Sequence, residues 1–545
     1  MTIKQYVMKI FNKILILMLL VGLNSCNKGG TVEVSQATIE KHMERLSSDE
    51  FLGRMPFTEG ETKTVKYLSE EFAKLGLMPA NGDSYFQEVP MIEIDGTPSE
   101  KMTITNGINK LELGFYDDFV ATSPRTDSQV ILENSELVFA GYGVVAPEYN
   151  WNDYEGIDWE GKTAVVLIND PGFQSGDTSL FNGNAMTYYG RWTYKYEEAA
   201  RQGADGIIII HETEPASYGW GVVQSGWTGP QLTLESNLPV TKIESWISNG
   251  SAEKLFQMSA LKDKDYKEMA QTRGFKPVPM GLKVSLHISN KVKRDVSKNV
   301  IAVLPGTDLK DEYIIYSAHW DHLGVGRPVD NDSIYNGAID NASGTASLFA
   351  IAEAFKASKP SKRSVVFFAT TGEEQGLLGS AYYAENPLFP PEKTVADINM
   401  DALNVWGPMK DLTIMGYGQS ELDEYARTEA ENMGRYILPD PHPENGYFYR
   451  ADHFSFAKIG IPALYAKGSY EGMEISIEKI KELDEYYETY MYHQPLDEYD
   501  PETMDISGVQ FDAQLLFQLG YRLSNEDYFP KWNDKSEFKS VRENN

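Results

Sequence analysis

The alternation of apolar and polar positions divides the chain into three stretches. In TKTVKYLSEEFAKLGL, residues Val65, Leu68, Phe72 and Leu75 recur at helical spacing, with Gly76 placed to end the helix. An earlier helix is expected across ATIEKHMERL, and from about Met91 to Val130 the text is strand-like, punctuated by DGTP and TNG turns. Between about Glu136 and Asn290, the short strands LVFAGYGVV, KTAVVLIN and GIIIIHE accompany a helix in YKYEEAARQGA, the pattern of a small α/β module. Within it, SYGWGVVQSGWTG reads as an aromatic surface loop. From Lys298 the apolar runs lengthen. NVIAVLPG, EYIIYSAH, SVVFFAT and the stretch before Asp401 read as buried strands, and SGTASLFAIAEAFKAS puts Leu348, Ile351, Ala352 and Phe355 on one helical face. The expected fold is α/β, a mixed, largely parallel sheet sandwiched by helices, with an inserted smaller α/β unit. Ligands in such folds gather at the carboxyl ends of the strands.

At 545 residues the chain exceeds what one core can serve. Its formal net charge of -31 disfavours nucleic acid as a partner, because nothing could neutralise a long track of phosphates. At the start, Lys4, Lys9 and Lys13 give a positive region ahead of an apolar run from Ile14 to Val21, too short for a spanning helix, and LNSC ends in the only cysteine, Cys26. The segment resembles a bacterial lipoprotein signal. That resemblance implies removal of residues 1–25, lipidation of Cys26, a polar tether over 26–35, and an exported protein anchored to the cell-envelope membrane, facing the periplasm or the cell surface. A lone cysteine allows no intrachain disulfide, so stability must come from cores, metals or both.

Chemistry concentrates after residue 315. His319 ends an apolar run in SAHWDHLG, and Asp321 follows at the spacing of a metal-ligating histidine and its orienting acid. Asp340 opens a glycine-rich turn in NGAIDNASG. Glu373 and Glu374 stand side by side after SVVFFAT, Asp401 lies in INMDALN, and His493 lies in MYHQPLDEYD. Two borderline metal ions would use such a set, one histidine and one acid each with a shared acid between them. The paired glutamates then divide the labour: one ligates a metal, and its neighbour acts as general base on water acidified by it.

With these residues in place, SAHWDHLG, IDNASG, GEEQGLLGS, NMDALN and YHQPLDEYD resemble the co-catalytic dizinc peptidases of metallopeptidase family 28, and DEFLGRMPFTEGE and LGLMPANGDSYFQ extend the likeness to the N-terminal segment. GKTAVVLIN, EEAARQGADGIIII and LPVTKI resemble a protease-associated domain, which family members commonly carry before the first ligating histidine. The resemblance implies an N-terminal part of the peptidase domain over 36–135, a protease-associated domain over 136–290, a catalytic domain over 291–525 and a tail over 526–545. It implies two Zn2+ per chain: His319 and Asp401 on the first, Glu374 and His493 on the second, and Asp340 bridging. Glu373 would be the general base, Asp321 the partner of His319, and Tyr492 an oxyanion stabiliser. The implied activity is a metallo-aminopeptidase acting on peptides. The alternatives are a glutaminyl-cyclase-like transferase and a non-catalytic receptor of the same fold, against which the intact ligand set and the H-x-D pair count.

YRADHFSFAKIGIPAL matches a family segment with Ala451 in place of its usual serine, and there His453 is expected to line the pocket rather than ligate. His322 and His442 read as exposed or hydrogen-bonded histidines. His42, His211 and His287 read as structural. The acidic run over 470–490 reads as a solvated helix or a lid.

Overall fold

The computed structural model describes residues 32–235, 238–534 and 536–544. The signal-like segment and Cys26 lie outside them, as does most of the tether. One strand, Val278–Leu304, runs through both halves of the protein. Its first part pairs with Gln129–Phe139, its middle with Phe86–Pro98 and its end with Arg363–Thr370, all antiparallel. A single extended segment therefore joins the sheet of the smaller α/β unit to that of the C-terminal unit.

In the inserted unit, Gln129–Phe139, Lys162–Leu167, Gly206–Ile210 and Ile243–Ile247 run parallel, and Phe119–Thr122 closes the edge antiparallel. Side chains alternate across a strand, so this sheet feeds two cores. Val165 and Ile208 pack on one side with Met102, Ile104 and Phe139, while Val166 and Ile209 pack on the other with Val138 and Trp246. The aromatic stretch expected as a loop contains a helix, Trp220–Gly226. It is held by burial of Val223 and by Trp227, whose ring lies 4.8 Å from Trp192 and 5.4 Å from Trp246. Aromatic packing at irregular spacing carries no periodic signal, which is why the pattern missed it.

In the C-terminal unit, Arg363–Thr370, Leu309–His319, Thr394–Asn399 and Ala463–Lys467 are adjacent and parallel. Val278–Leu304 flanks one edge antiparallel, and Asp411–Met415 the other. Helices Gln36–Leu46, Ser343–Ala357 and Ser507–Leu523 cover one face around Phe349, Tyr316 and Leu516. Leu378–Glu385 and His453–Lys458 lie on the other, with Phe368, Tyr383 and Phe456 packed between. The strands are apolar almost throughout because both faces are covered. Among the described residues, no helix is long and apolar enough to cross a membrane.

Parallel register puts the carboxyl ends together: His319 lies opposite Thr370, and Ser317 opposite Asn399. Asn341 then ties two of the loops that leave them. Its amide nitrogen donates to Met400 O (2.9 Å), and its oxygen accepts from Gly344 N (2.9 Å). A Cβ at Gly344 would stand 2.4 Å from both Asn341 Oδ1 and Met400 O, so only glycine lets the helix begin this close to the Asp401 loop.

Candidate metal centre

His319 is the last residue of Leu309–His319. Glu373 and Glu374 follow Arg363–Thr370 through Gly372, whose φ of +65° turns the chain sharply out of the sheet. Asp401 lies two residues beyond Thr394–Asn399, Asp340 just before Ser343–Ala357, and His493 beyond the turn Tyr487–Met491. Their polar atoms meet at one point. His319 Nε2 lies 3.1 Å from Asp340 Oδ1, 3.2 Å from Asp401 Oδ1 and 3.9 Å from Glu373 Oε2. His493 Nε2 lies 3.0 Å from Glu374 Oε2 and 3.4 Å from Asp340 Oδ2. Asp340 thus offers one oxygen to each histidine. His493 marks the open side, with its side chain 35% exposed, whereas that of His319 is 2% exposed.

Burial alone would push the His319 imidazole down. Instead Asp401, Glu373 and Asp340 carry it well above its ordinary value. Burial pushes the Glu373 carboxyl up, against the pull of His319, and the neighbouring carboxylates of Asp401, Glu374 and Asp452 add to the rise. Among the described residues no lysine or arginine lies within ion-pair distance of Asp340, Glu373, Glu374 or Asp401. So many carboxylates out of water require positive charge. His319, Asp340 and Asp401 offer donor atoms within 4.8 Å of one another, as do His319, Glu373 and Glu374, and also His322, Asp340 and Glu374. Buried imidazole and carboxylate donors of this kind suit zinc. The residues present therefore fit a metal site.

Residues 299–512 match Peptidase family M28. The matched segment contains every residue of the centre. The chain is 34% identical to Aminopeptidase NAALADL1 of Mus musculus over 137 residues, 24% of this chain and 17% of that protein. Aminopeptidase YwaD of Bacillus subtilis is 32% identical over 144 residues, 25% of this chain and 29% of that protein. The chain therefore matches well under a third of the length of these curated relatives. The solved aminopeptidase from Aneurinibacillus sp. strain AM-1 superposes with a TM-score of 0.52 at 19% identity, covering 91% of this chain and 96% of that one. That likeness establishes a shared fold. Together these findings show a segment that matches Peptidase family M28 within a chain that shares the fold of a solved aminopeptidase.

Within the matched segment, the structure adds detail at three residues. Asp321 does not meet His319 through its carboxylate, which stays 4.0 Å from Nδ1. Its backbone carbonyl does so at 3.1 Å. The carboxylate instead accepts a hydrogen bond from Glu373 N (3.2 Å), so it positions the glutamate pair. Burial raises its pKa to about 7. His322, expected to be exposed or hydrogen-bonded, is buried and hydrogen-bonded, with Nδ1 2.6 Å from Glu374 Oε1, and among the described residues its buried Nε2 finds no partner. Its position three residues after His319 at a strand's polar end was the available signal. Asp497 was overlooked within YHQPLDEYD. It accepts from Ile339 N (2.9 Å) and Asp340 N (3.1 Å), holding the backbone of the shared acid.

Arg54, from DEFLGR, is also buried and makes four hydrogen bonds to carbonyls of Leu46, Trp320, Asn336 and Gly337. It fastens the N-terminal segment to the loops behind His319 and Asp340. Tyr492 stacks on His493, ring centres 3.9 Å apart. His453 is buried against Phe448 and Tyr465, neutral because burial drives its pKa down to about 3, and it stays outside the donor cluster. His442 is exposed beside Glu444, and His287 beside Glu133. The acidic run forms a helix, Ile477–Tyr486, in which only Ile480 is buried; most of its charge is solvated.

Replacing Asp497 by Ala strands two buried N–H groups and frees Asp340. Zinc retention against a competing chelator should fall about 10–100-fold, with Asp497→Asn intermediate. Retention equal to the parent would contradict the role given to Asp497.

Proposed function

We propose that the protein is a zinc-dependent exopeptidase that removes N-terminal residues from peptides, using two metal ions. The observation that carries this reading is the placement of Glu373. Its carboxylate points into the centre 3.9 Å from His319 Nε2, yet it makes no hydrogen bond there, while its neighbour Glu374 is engaged by His322 and His493. His319 and Asp401 would hold one zinc ion, Glu374 and His493 the other, and Asp340 would bridge them. When bound, such ions supply Lewis acidity toward a carbonyl oxygen and lower the pKa of water.

The remaining work falls to the chain. Glu373 takes the proton of the attacking water on a carboxylate oxygen and passes it to the leaving amine nitrogen. Asp321, through its bond to Glu373 N, fixes where that oxygen points. Tyr492, at the open side, donates its phenolic hydrogen to the oxygen that becomes negative as the carbonyl is attacked. The buried strand ends exclude bulk water from all but the His493 side. Free carboxylate oxygens near the carbonyl would receive the substrate's terminal ammonium, which favours aminopeptidase over carboxypeptidase action. The inserted α/β unit is read as a protease-associated domain on its strand and glycine pattern.

Glu373→Gln should keep its zinc and lose about 10²–10⁴-fold in turnover of aminoacyl amides. Turnover within tenfold of the parent would remove Glu373 from the mechanism. The LNSC motif further assigns Cys26 as a lipid anchor to the bacterial envelope. Cells expressing the full chain should incorporate labelled fatty acid into it, and Cys26→Ala should abolish this. Equal labelling of both would refute the anchor.

A further inference from the structure

Asp321 and His322, just past the end of Leu309–His319, hold the two adjacent glutamates one apiece. That strand runs parallel to Arg363–Thr370 with His319 opposite Thr370, so the chain leaving the first strand passes beside the chain leaving the second. Asp321 Oδ1 accepts from Glu373 N (3.2 Å), and the next residue, His322, sets Nδ1 2.6 Å from Glu374 Oε1. The first bond reaches backbone. The second reaches a carboxylate of the candidate metal centre.

The His322 ring is held where it stands. It is fully buried, and the backbone of Gly337 backs it so closely that a Cβ there would lie 2.5 Å from His322 Cγ and 2.6 Å from Cδ2. Arg54 braces that backbone on both sides of the ring: Nη2 donates to Gly337 O (2.9 Å) and Nε to Trp320 O (2.7 Å). The His493 ring stands edge-on, 5.8 Å away, on the far side of Glu374 from no other donor of the ring. A bare Nδ1 would turn its lone pair against those of the Glu374 carboxylate, so the proton belongs on Nδ1, where Oε1 accepts it. Among the described residues the buried Nε2 finds no partner that would draw the proton there instead.

The two oxygens of Glu374 thus have different tasks. Oε1 accepts from His322, while Oε2 faces the other donors, 3.0 Å from His493 Nε2. We infer that His322 is a positioning residue of the second metal position: it ties up Oε1, presents Oε2 alone, and so makes Glu374 a one-oxygen ligand of fixed direction. His322 is not itself a ligand, although one of its ring nitrogens lies within 4.8 Å of carboxylate oxygens of both Asp340 and Glu374. The Asp-His step after one strand therefore sets the Glu-Glu step after its neighbour, Asp321 directing Glu373 and His322 directing Glu374. This inference rests on the two-metal reading above.

The test reads the metal rather than turnover. Crystals of the zinc-loaded full chain should show Glu374 meeting zinc through Oε2 only, with Oε1 still hydrogen-bonded to His322 Nδ1. Both Glu374 oxygens on zinc, or a His322 nitrogen on zinc, would overturn the assignment, and this result depends on no variant. In solution, a competing chelator is titrated into the zinc-loaded parent, His322→Ala and His322→Asn. His322→Ala should surrender one of its two ions at about 10–100-fold lower chelator concentration and keep the other as the parent does. His322→Asn, whose side-chain amide offers a donor near the place of Nδ1, should stay within about tenfold of the parent. Retention in His322→Ala equal to the parent, or His322→Asn as weak as His322→Ala, would overturn the role. So would an equal loss of both ions with a lower melting temperature of the zinc-free protein, which marks packing alone. A parent that holds two zinc ions yet cleaves no aminoacyl amide would remove the peptidase reading while the chelator series still decides on His322. A parent with no zinc at Glu374 would remove both.

Discussion

The constraint on which the structure depends is the crowding of carboxylates at one buried point. Asp340, the pair Glu373 and Glu374, and Asp401 come from different loops and converge with His319 and His493, and among the described residues no lysine or arginine makes ion-pair contact with them. Left uncompensated, such a cluster would repel itself apart. It stands because the loops bearing it are pinned from behind by Asn341, Asp497 and Arg54, which bond to backbone rather than to the acids. Metal binding and folding are thereby linked: cations that satisfy the acids also reward the geometry that holds them.

The division between rigid support and open mouth follows from the same arrangement. His319 belongs to a sheet strand covered on both faces, whereas His493 sits in a turn at the edge of the C-terminal unit. The smaller α/β unit is joined on by the long strand Val278–Leu304 and by aromatic contacts such as Tyr188 against Phe454.

Much of this was legible in the sequence because strand ends announce themselves. A long apolar run that stops at a histidine or a pair of glutamates places those residues at the carboxyl end of a buried strand, and His319, Glu373, Glu374 and Asp401 were all found so. What escaped were residues acting on backbone. Asp497 and Arg54 serve carbonyls and N–H groups far away in sequence, and no local pattern records such partners. His322 was underrated because a histidine near a ligand looks no different from one on the surface until its burial is known. Asp321 does partner His319, but through its backbone carbonyl, while its carboxylate serves Glu373 N, since spacing does not say which way a carboxylate turns.

The most direct measurement is anomalous diffraction at the zinc edge from crystals of the zinc-loaded protein. Two peaks about 3.5–4 Å apart are expected, one between His319 and Asp401, the other between Glu374 and His493, with Asp340 touching both. A single peak, or zinc bound only away from these residues, would contradict the two-metal account of the site.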